Sequence, residues 1–210
     1  KSSLSKNAII GILGGGQLGK MLLYDAKRYD IHTKVMDSNR NAPCNKIADE
    51  FILGDIRDLD FVINQSKNID IIYHLACLGV RHSLHSPIEN HKVNAEGTLN
   101  ILEASRINSI KQFIYISTSE VYGKVEQFPI SETAVPVPIT VYGSSKLVGE
   151  HYTNSYRECF GLNSTVIRIF NNYGPRAHFE GDSGEVIPRT MANRRNIYPD
   201  KLLTNYPMTI

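Results

Sequence analysis

A chain of 210 residues with 41% apolar and 21% charged side chains suffices for one large domain and excludes wholesale disorder. The net charge of +2, from 23 basic and 21 acidic side chains, gives no electrostatic case for nucleic acid or an anionic membrane as partner. The apolar stretches around Ala8–Leu13 and Ile69–Val80 are too short or interrupted to span a bilayer, and the start KSSLSKNAII lacks the apolar core of a signal peptide.

In chain order, AIIGIL (Ala8–Leu13) reads as a strand that runs into GGGQLG. Helical periodicity follows over Lys20–Tyr29. Further strands are expected at His32–Met36, Glu50–Leu53 and Ile69–Leu75, with a helix over Phe61–Lys67 between the last two. A strong helical pattern covers Asn94–Arg106, with Leu99, Ile101, Leu102 and Ala104 on its apolar side. QFIYIS (Gln112–Ser117) is the fifth strand, Tyr142–Tyr156 a helix, and Asn163–Ile169 the sixth strand. Strands alternating with helices imply a doubly wound parallel α/β sheet of the Rossmann-like kind. A dinucleotide-binding domain is expected over residues 1–170. Residues 171–210 are expected to open a substrate-binding region whose remainder is truncated, since the chain starts at Lys1 rather than Met and stops at Ile210 where a strand is beginning.

Gly14, Gly16 and Gly19 spell GxGxxG between the first strand and first helix, with Gln17 and Leu18 between the last two glycines. Glycines there permit a tight turn and close backbone approach to a pyrophosphate, and the helix N-terminus supplies amide donors. Asp37 follows at the spacing of an acid that binds the adenosine ribose and repels a 2′-phosphate, favouring NAD over NADP. Tyr142 and Lys146 form YxxxK, which places both on one helix face. An ammonium beside a phenol lowers the tyrosine pKa and makes Tyr142 a candidate general base. The fifth strand ends in Thr118, Ser119 and Glu120, where substrates meet such sheets. Cys44, Cys77 and Cys159 form no CxxC pair and read as reduced thiols of a cytoplasmic protein. His82 and His85 have metal-like spacing but no completing ligand, so no metal site is expected. His178, Glu180 and Asp182 read as part of a solvated polar loop.

The segments IDIIYHLACLGVRHS, VNAEGTLNILEASR, FIYISTSEVYG, VYGSSKLVGEHY and RIFNNYGPR resemble the extended short-chain dehydrogenase/reductase family. Within it they are most similar to nucleotide-sugar epimerases, dehydratases and decarboxylases of the UDP-glucose 4-epimerase type, over about residues 54–210. The resemblance implies an NAD cofactor and a nucleotide-sugar substrate. It implies Tyr142 as base, Lys146 as its partner and ribose ligand, and Thr118 as the group that hydrogen-bonds the oxidised hydroxyl. It further implies Asp55 and Ile56 beside the adenine, and Leu75 and Ala76 along the cofactor cleft. Asn94 is implied as a structural or cofactor asparagine, and Asn171 and Arg176 near the nucleotide-sugar. A homodimer through the helices at Asn94–Arg106 and Tyr142–Tyr156 is expected on the same ground. Epimerisation leads over dehydration, because Ser119 stands where a 4,6-dehydratase carries Asp.

The front of the chain departs from that family, since Leu13 occupies the first glycine of its usual GxxGxxG. Ile9–Asp55, with GGGQLGKM, instead resembles the front domain of the ATP-grasp enzyme carboxyaminoimidazole ribonucleotide synthase. A chimera is therefore expected, either a gene fusion or an assembly join. In that case the chain could be an inactive fragment whose glycine loop comes from a domain not known for NAD.

Overall fold

A computed structural model of the chain describes residues 8–125 and 127–171. Ile9–Leu13 forms β1, His32–Asp37 β2, Glu50–Leu53 β3, Ile71–His74 β4, Gln112–Thr118 β5 and Ser164–Ile169 β6. All pair in parallel in the order β3-β2-β1-β4-β5-β6. This is the doubly wound order, and the chain reverses direction across the sheet between β1 and β4. The expected fold class is therefore present. The continuous apolar runs of β1 and β5 are required because a central parallel strand is covered on both faces.

One face packs Leu13, Met36, Ile72, Phe113 and Tyr115 against Ile101 and Leu102. The other packs Ile10, Ile12, Val35 and Ile114 against Leu23 and Cys44. Alternation along β1 decides the split, with Ile10 and Ile12 on one side and Leu13 on the other. Each face carries its own helices. Gln17–Arg28 forms α1 and Leu59–Gln65 forms α2, the latter capped by the Asp58 side chain accepting from the Phe61 amide at 3.0 Å. Gly97–Ile107 forms α5, preceded by two short helices, α3 at Val80–His85 and α4 at Pro87–His91, and by a π turn at Lys92–Glu96.

Val141–Phe160 is α6, the longest helix described. Thr140 caps its start, accepting from the Gly143 amide at 2.9 Å, and Gly161 closes it in the left-handed conformation. All the described elements lie in one compact unit, Lys1–Phe170. No helix among the described residues is long and apolar enough to cross a membrane.

The helices differ from expectation chiefly at their ends. α1 begins at Gln17 rather than Lys20, because the third glycine of the turn is already helical. α6 runs to Phe160 rather than Tyr156, because only Gly161 supplies the stop. Asn94 lies inside the π turn rather than at the head of a regular helix.

Candidate active site

The turn after β1 sits at the point where the strand order reverses. Gly14 adopts φ +99°, and a Cβ there would come within 2.8 Å of the Ala76 amide nitrogen at the end of β4. A Cβ on Gly19 would meet the Gly14 carbonyl oxygen at 2.1 Å. Both positions are therefore closed to any side chain. Gly16 is different: it is exposed, nothing lies within 4 Å of its Cβ position, and it leads into α1 with no side-chain cap. Two glycines make the turn, and the third leaves the first amides of α1 open to a ligand. Gln17 is half-buried and Leu18 exposed in that first turn.

Asp37 ends β2 against this turn. Its Oδ2 accepts from the Gly15 amide at 2.6 Å and its Oδ1 from the Asn39 amide at 2.7 Å. Cys44 seals the turn from behind. It is fully buried, its amide donates to the Gly15 carbonyl at 3.1 Å, and burial and Asp37 push its thiol up to about 11. At the end of β4 the Leu75 amide donates to the Leu13 carbonyl at 2.8 Å, so Leu75 and Ala76 border the turn.

Asp55 and Ile56 diverge. The Asp55 carboxylate is held by the Arg57 guanidinium and amide, which keep it below the usual carboxylate range against the opposing effect of burial. Ile56 is buried beneath α5, against Gly97.

The second half of the site is built on β5 and α6. Tyr142, Lys146 and Thr118 come together there. Lys146 is 2% exposed, and its ammonium lies 4.3 Å from the centre of the Tyr115 ring. Burial works to lower its pKa, but Tyr115, Cys77 and Tyr142 outweigh it and the net shift is upward. Burial pushes the Tyr142 phenol up to about 12, and Cys77 adds to this. The Lys146 ammonium and the hydrogen-bonding Thr118 hydroxyl act in the opposite sense. The expected lowering by Lys146 is thus present in direction, but in the free protein burial is larger.

Ser119–Tyr122 forms a 3-10 turn directly after β5. The Glu120 amide donates to Thr118 Oγ1 at 3.2 Å, and the Glu120 carbonyl lies 2.8 Å from the Cβ position of Gly143 on α6. The turn is thereby pressed against the helix that carries Tyr142.

Asn94 serves the loop after β4. Its Oδ1 accepts from the Leu78 amide at 2.8 Å, while its Nδ2 donates to the Leu78 carbonyl at 2.9 Å and to Ser145 Oγ at 3.1 Å. The π turn aims its side chain at both the loop and α6, so its amide is taken up inside the protein. Asn171 is exposed and lies beyond the compact unit. Arg176, His178, Glu180 and Asp182 lie outside the described residues. His82 is engaged by Glu89 at 3.2 Å.

Three features escaped sequence reasoning. Cys77 is exposed at the end of β4 and acts electrostatically on Tyr142, Lys146 and Tyr115. Cys44 backs the glycine turn. Glu150 is buried one helical turn beyond Lys146. Only Glu150 had a sequence signal, since 142, 146 and 150 continue the i,i+4 series.

The open glycine turn and the Asp37 carboxylate lie together after β1, and the buried Lys146 ammonium lies beside Tyr115 and Tyr142 where β5 packs on α6. The family model for the NAD dependent epimerase/dehydratase family matches residues 10–204, and the chain belongs to that family. The match begins at Ile10 in β1, so it takes in the front segment. That segment forms β1 to β3 of the common sheet, and its expected foreign origin gains no support.

Particular relatives are similar over most of the chain. The UDP-glucose 4-epimerase of Rhizobium leguminosarum bv. trifolii is 31% identical over 189 residues, 87% of this chain and 56% of the relative. The structure of UDP-glucose 4-epimerase from Thermotoga maritima with UDP-glucose is 30% identical with a TM-score of 0.81, covering 89% of this chain and 62% of that one. UDP-glucuronic acid 4-epimerase from Bacillus cereus, in complex with UDP-glucuronic acid and NAD, is 28% identical with a TM-score of 0.77, covering 88% and 63%. The chain thus spans about three fifths of the length of these relatives.

Proposed function

We propose that the protein to which this chain belongs is an NAD-dependent nucleotide-sugar epimerase acting at the sugar C4 hydroxyl. The observation that carries this is the gathering of Thr118, Tyr142 and buried Lys146 where the end of β5 meets α6. When bound, NAD would supply the hydride acceptor and donor for the sugar carbon. The chain's own residues do the rest. Gly14, Gly16 and Gly19, with the amides at Gln17 and Leu18, hold the pyrophosphate, and Asp37 holds the adenosine ribose. Lys146 bonds the second ribose and stabilises the Tyr142 phenolate. Tyr142 takes the proton from the sugar hydroxyl, which Thr118 orients, and later gives it back. Ser119, Glu120, Asn171 and Arg176 are assigned to the nucleotide-sugar.

A dehydratase or decarboxylase of the same family is the second reading. Glu120 favours it by placing an acid next to Thr118's turn, and Ser119 at the position of Asp counts against it. The three unpaired cysteines fit a reducing compartment such as the cytoplasm. A homodimer through α5 and α6 is proposed with Ile107 and Phe160, both exposed, at its edge, and light scattering tests it.

The deciding experiment is calorimetric titration of the folded full-length protein with NADH, followed by assay of UDP-glucose and UDP-galactose interconversion in wild type and Tyr142→Phe. NADH binding with turnover that the variant abolishes supports the proposal. Turnover that survives in Tyr142→Phe overturns the assignment of the base. A folded protein that ignores NADH overturns the whole proposal and returns the inactive fragment.

A further inference from the structure

Buried Ser117 and Glu150 and half-buried Arg168 form a polar cluster that the proposed chemistry leaves unused. Glu150 is 3% exposed and Ser117 2%. Arg168 grips the Glu150 carboxylate with both arms of its fork, Nε to Oε1 at 3.0 Å and Nη2 to Oε2 at 2.7 Å. Ser117 Oγ donates to the same Oε1 at 2.5 Å. The Arg168 guanidinium also lies 4.7 Å from the centre of the Tyr122 ring, and its Nη1 donates to the Glu132 carbonyl at 3.4 Å.

The placement follows from register. Ser117 and Arg168 are directly paired residues of β5 and β6, so both face α6. Ser117 precedes Thr118 in the chain. Glu150 stands two turns beyond Tyr142 and one beyond Lys146 on the same face of α6. The cluster therefore joins the strand that carries Thr118 to the helix that carries Tyr142.

We propose that the Glu150–Arg168 pair is a positioning device that fixes the height of α6 along β5 and thereby sets the spacing of Tyr142 from Thr118. Apolar contact between a helix and a sheet is non-directional and leaves sliding along the helix axis weakly resisted. A bidentate fork is directional and resists it. The Glu150 carboxylate is buried while Arg168 keeps part of its side chain in water, so burying the carboxylate costs desolvation that an apolar residue of similar volume avoids, and stability alone does not account for the pair. The Arg168 bond to the Glu132 carbonyl ties the segment that leads into α6 to β6. In this role Glu150 and Arg168 act through Tyr142 and Lys146. The role rests on Tyr142 being the base of the proposed reaction.

The test compares Glu150→Gln and a triple variant, S117A/E150M/R168M, with wild type in the full-length protein. The triple variant replaces the cluster with apolar groups of similar size, which such sites accept without loss of fold. Three quantities are read: the phenolate titration of Tyr142, taken as the ultraviolet signal lost in Tyr142→Phe; NADH affinity; and kcat and KM for the sugar. The expected result is a native circular dichroism spectrum, a shifted Tyr142 titration and a kcat lowered at least about tenfold, with KM nearly unchanged. A folded triple variant with wild-type Tyr142 titration and kcat overturns the proposal. Should the triple variant fail to fold, Glu150→Gln decides by the same titration, since it keeps the shape and removes the charge. A wild type that binds NADH without epimerising sugars defeats the proposed function, yet the Tyr142 titration still reads the positioning.

Discussion

The Gly15 amide donates a 2.6 Å hydrogen bond to the carboxylate of Asp37. That bond ties the turn after β1 to the end of β2 and holds one carboxylate oxygen in the turn, beside the open Gly16. An anion placed there repels a ribose 2′-phosphate and accepts from a free 2′-hydroxyl.

Asp37→Ala is therefore expected to weaken NADH binding by roughly tenfold, or about 1.4 kcal/mol, and to leave NADPH binding equal or better. Calorimetry with both cofactors reads the ratio. An unaltered ratio means that the carboxylate serves the turn and does not face the ribose.

The three glycines separate folding from binding. A side chain on Gly19 collides with the Gly14 carbonyl, and one on Gly14 adds a strained φ to a clash with Ala76. Gly14→Ala and Gly19→Ala are each expected to cost about 1–3 kcal/mol of stability in urea denaturation. Gly16→Ala fills only open space, so it should fold as wild type and lose NADH affinity. Equal stability losses in all three variants would mean that the motif exists only for chain reversal.

The Lys146 ammonium acts to lower the Tyr142 phenol, which burial holds at about 12. Lys146→Met is expected to raise the Tyr142 pKa further and to cut kcat by a factor of about 100 or more, as for loss of general base catalysis. Because the base must be ionised, the remaining activity should climb with pH over a higher range than in wild type. A pH–rate profile that keeps its wild-type position removes Lys146 from the role of pKa partner.

Cys77 is exposed where it acts on both Tyr142 and Lys146, whereas Cys44 is buried with its thiol pushed up to about 11. Iodoacetamide should label Cys77 and Cys159 and spare Cys44. Labelling should abolish NADH binding in wild type and leave it intact in Cys77→Ser, with mass spectrometry locating the adducts. Loss of binding in the labelled Cys77→Ser protein would shift the effect to another nucleophile.

The sheet was legible because a parallel strand buried on both faces must be an unbroken apolar run, as in IIGIL and QFIYIST. The helices α3 and α4 were not, since five or six residues are too few to show a 3.6-residue period. The π turn at Lys92–Glu96 was hidden for a related reason: one extra residue per turn breaks the pattern without marking it. Tyr142 and Lys146 could be paired from spacing because one helix holds both. Cys77 could not be joined to them, because its place depends on where the end of β4 meets α6. The same holds for Ser117, Glu150 and Arg168, which three separate elements bring together.

His74 carries the last expectation, and it concerns pH. Its ring is fully buried at the end of β4, with Nε2 2.9 Å from Thr98 Oγ1 and Nδ1 without a hydrogen-bond partner among the described residues. Burial, aided by the Lys146 charge, brings its pKa down from 6.5 to about 3. The unfolded chain therefore binds a proton near pH 6.5 that the folded chain refuses. The stability that neutral His74 confers is complete above pH 6.5 and drains away as the pH falls toward 3. Between pH 6 and 4.5 the loss should be roughly 2 kcal/mol. His74→Gln retains a donor toward Thr98 and cannot titrate. It should be less stable than wild type at pH 7, with the gap closing as the solution is acidified. Urea denaturation of both proteins across that range measures the gap, and a constant one would mean that His74 accepts its proton without unfolding.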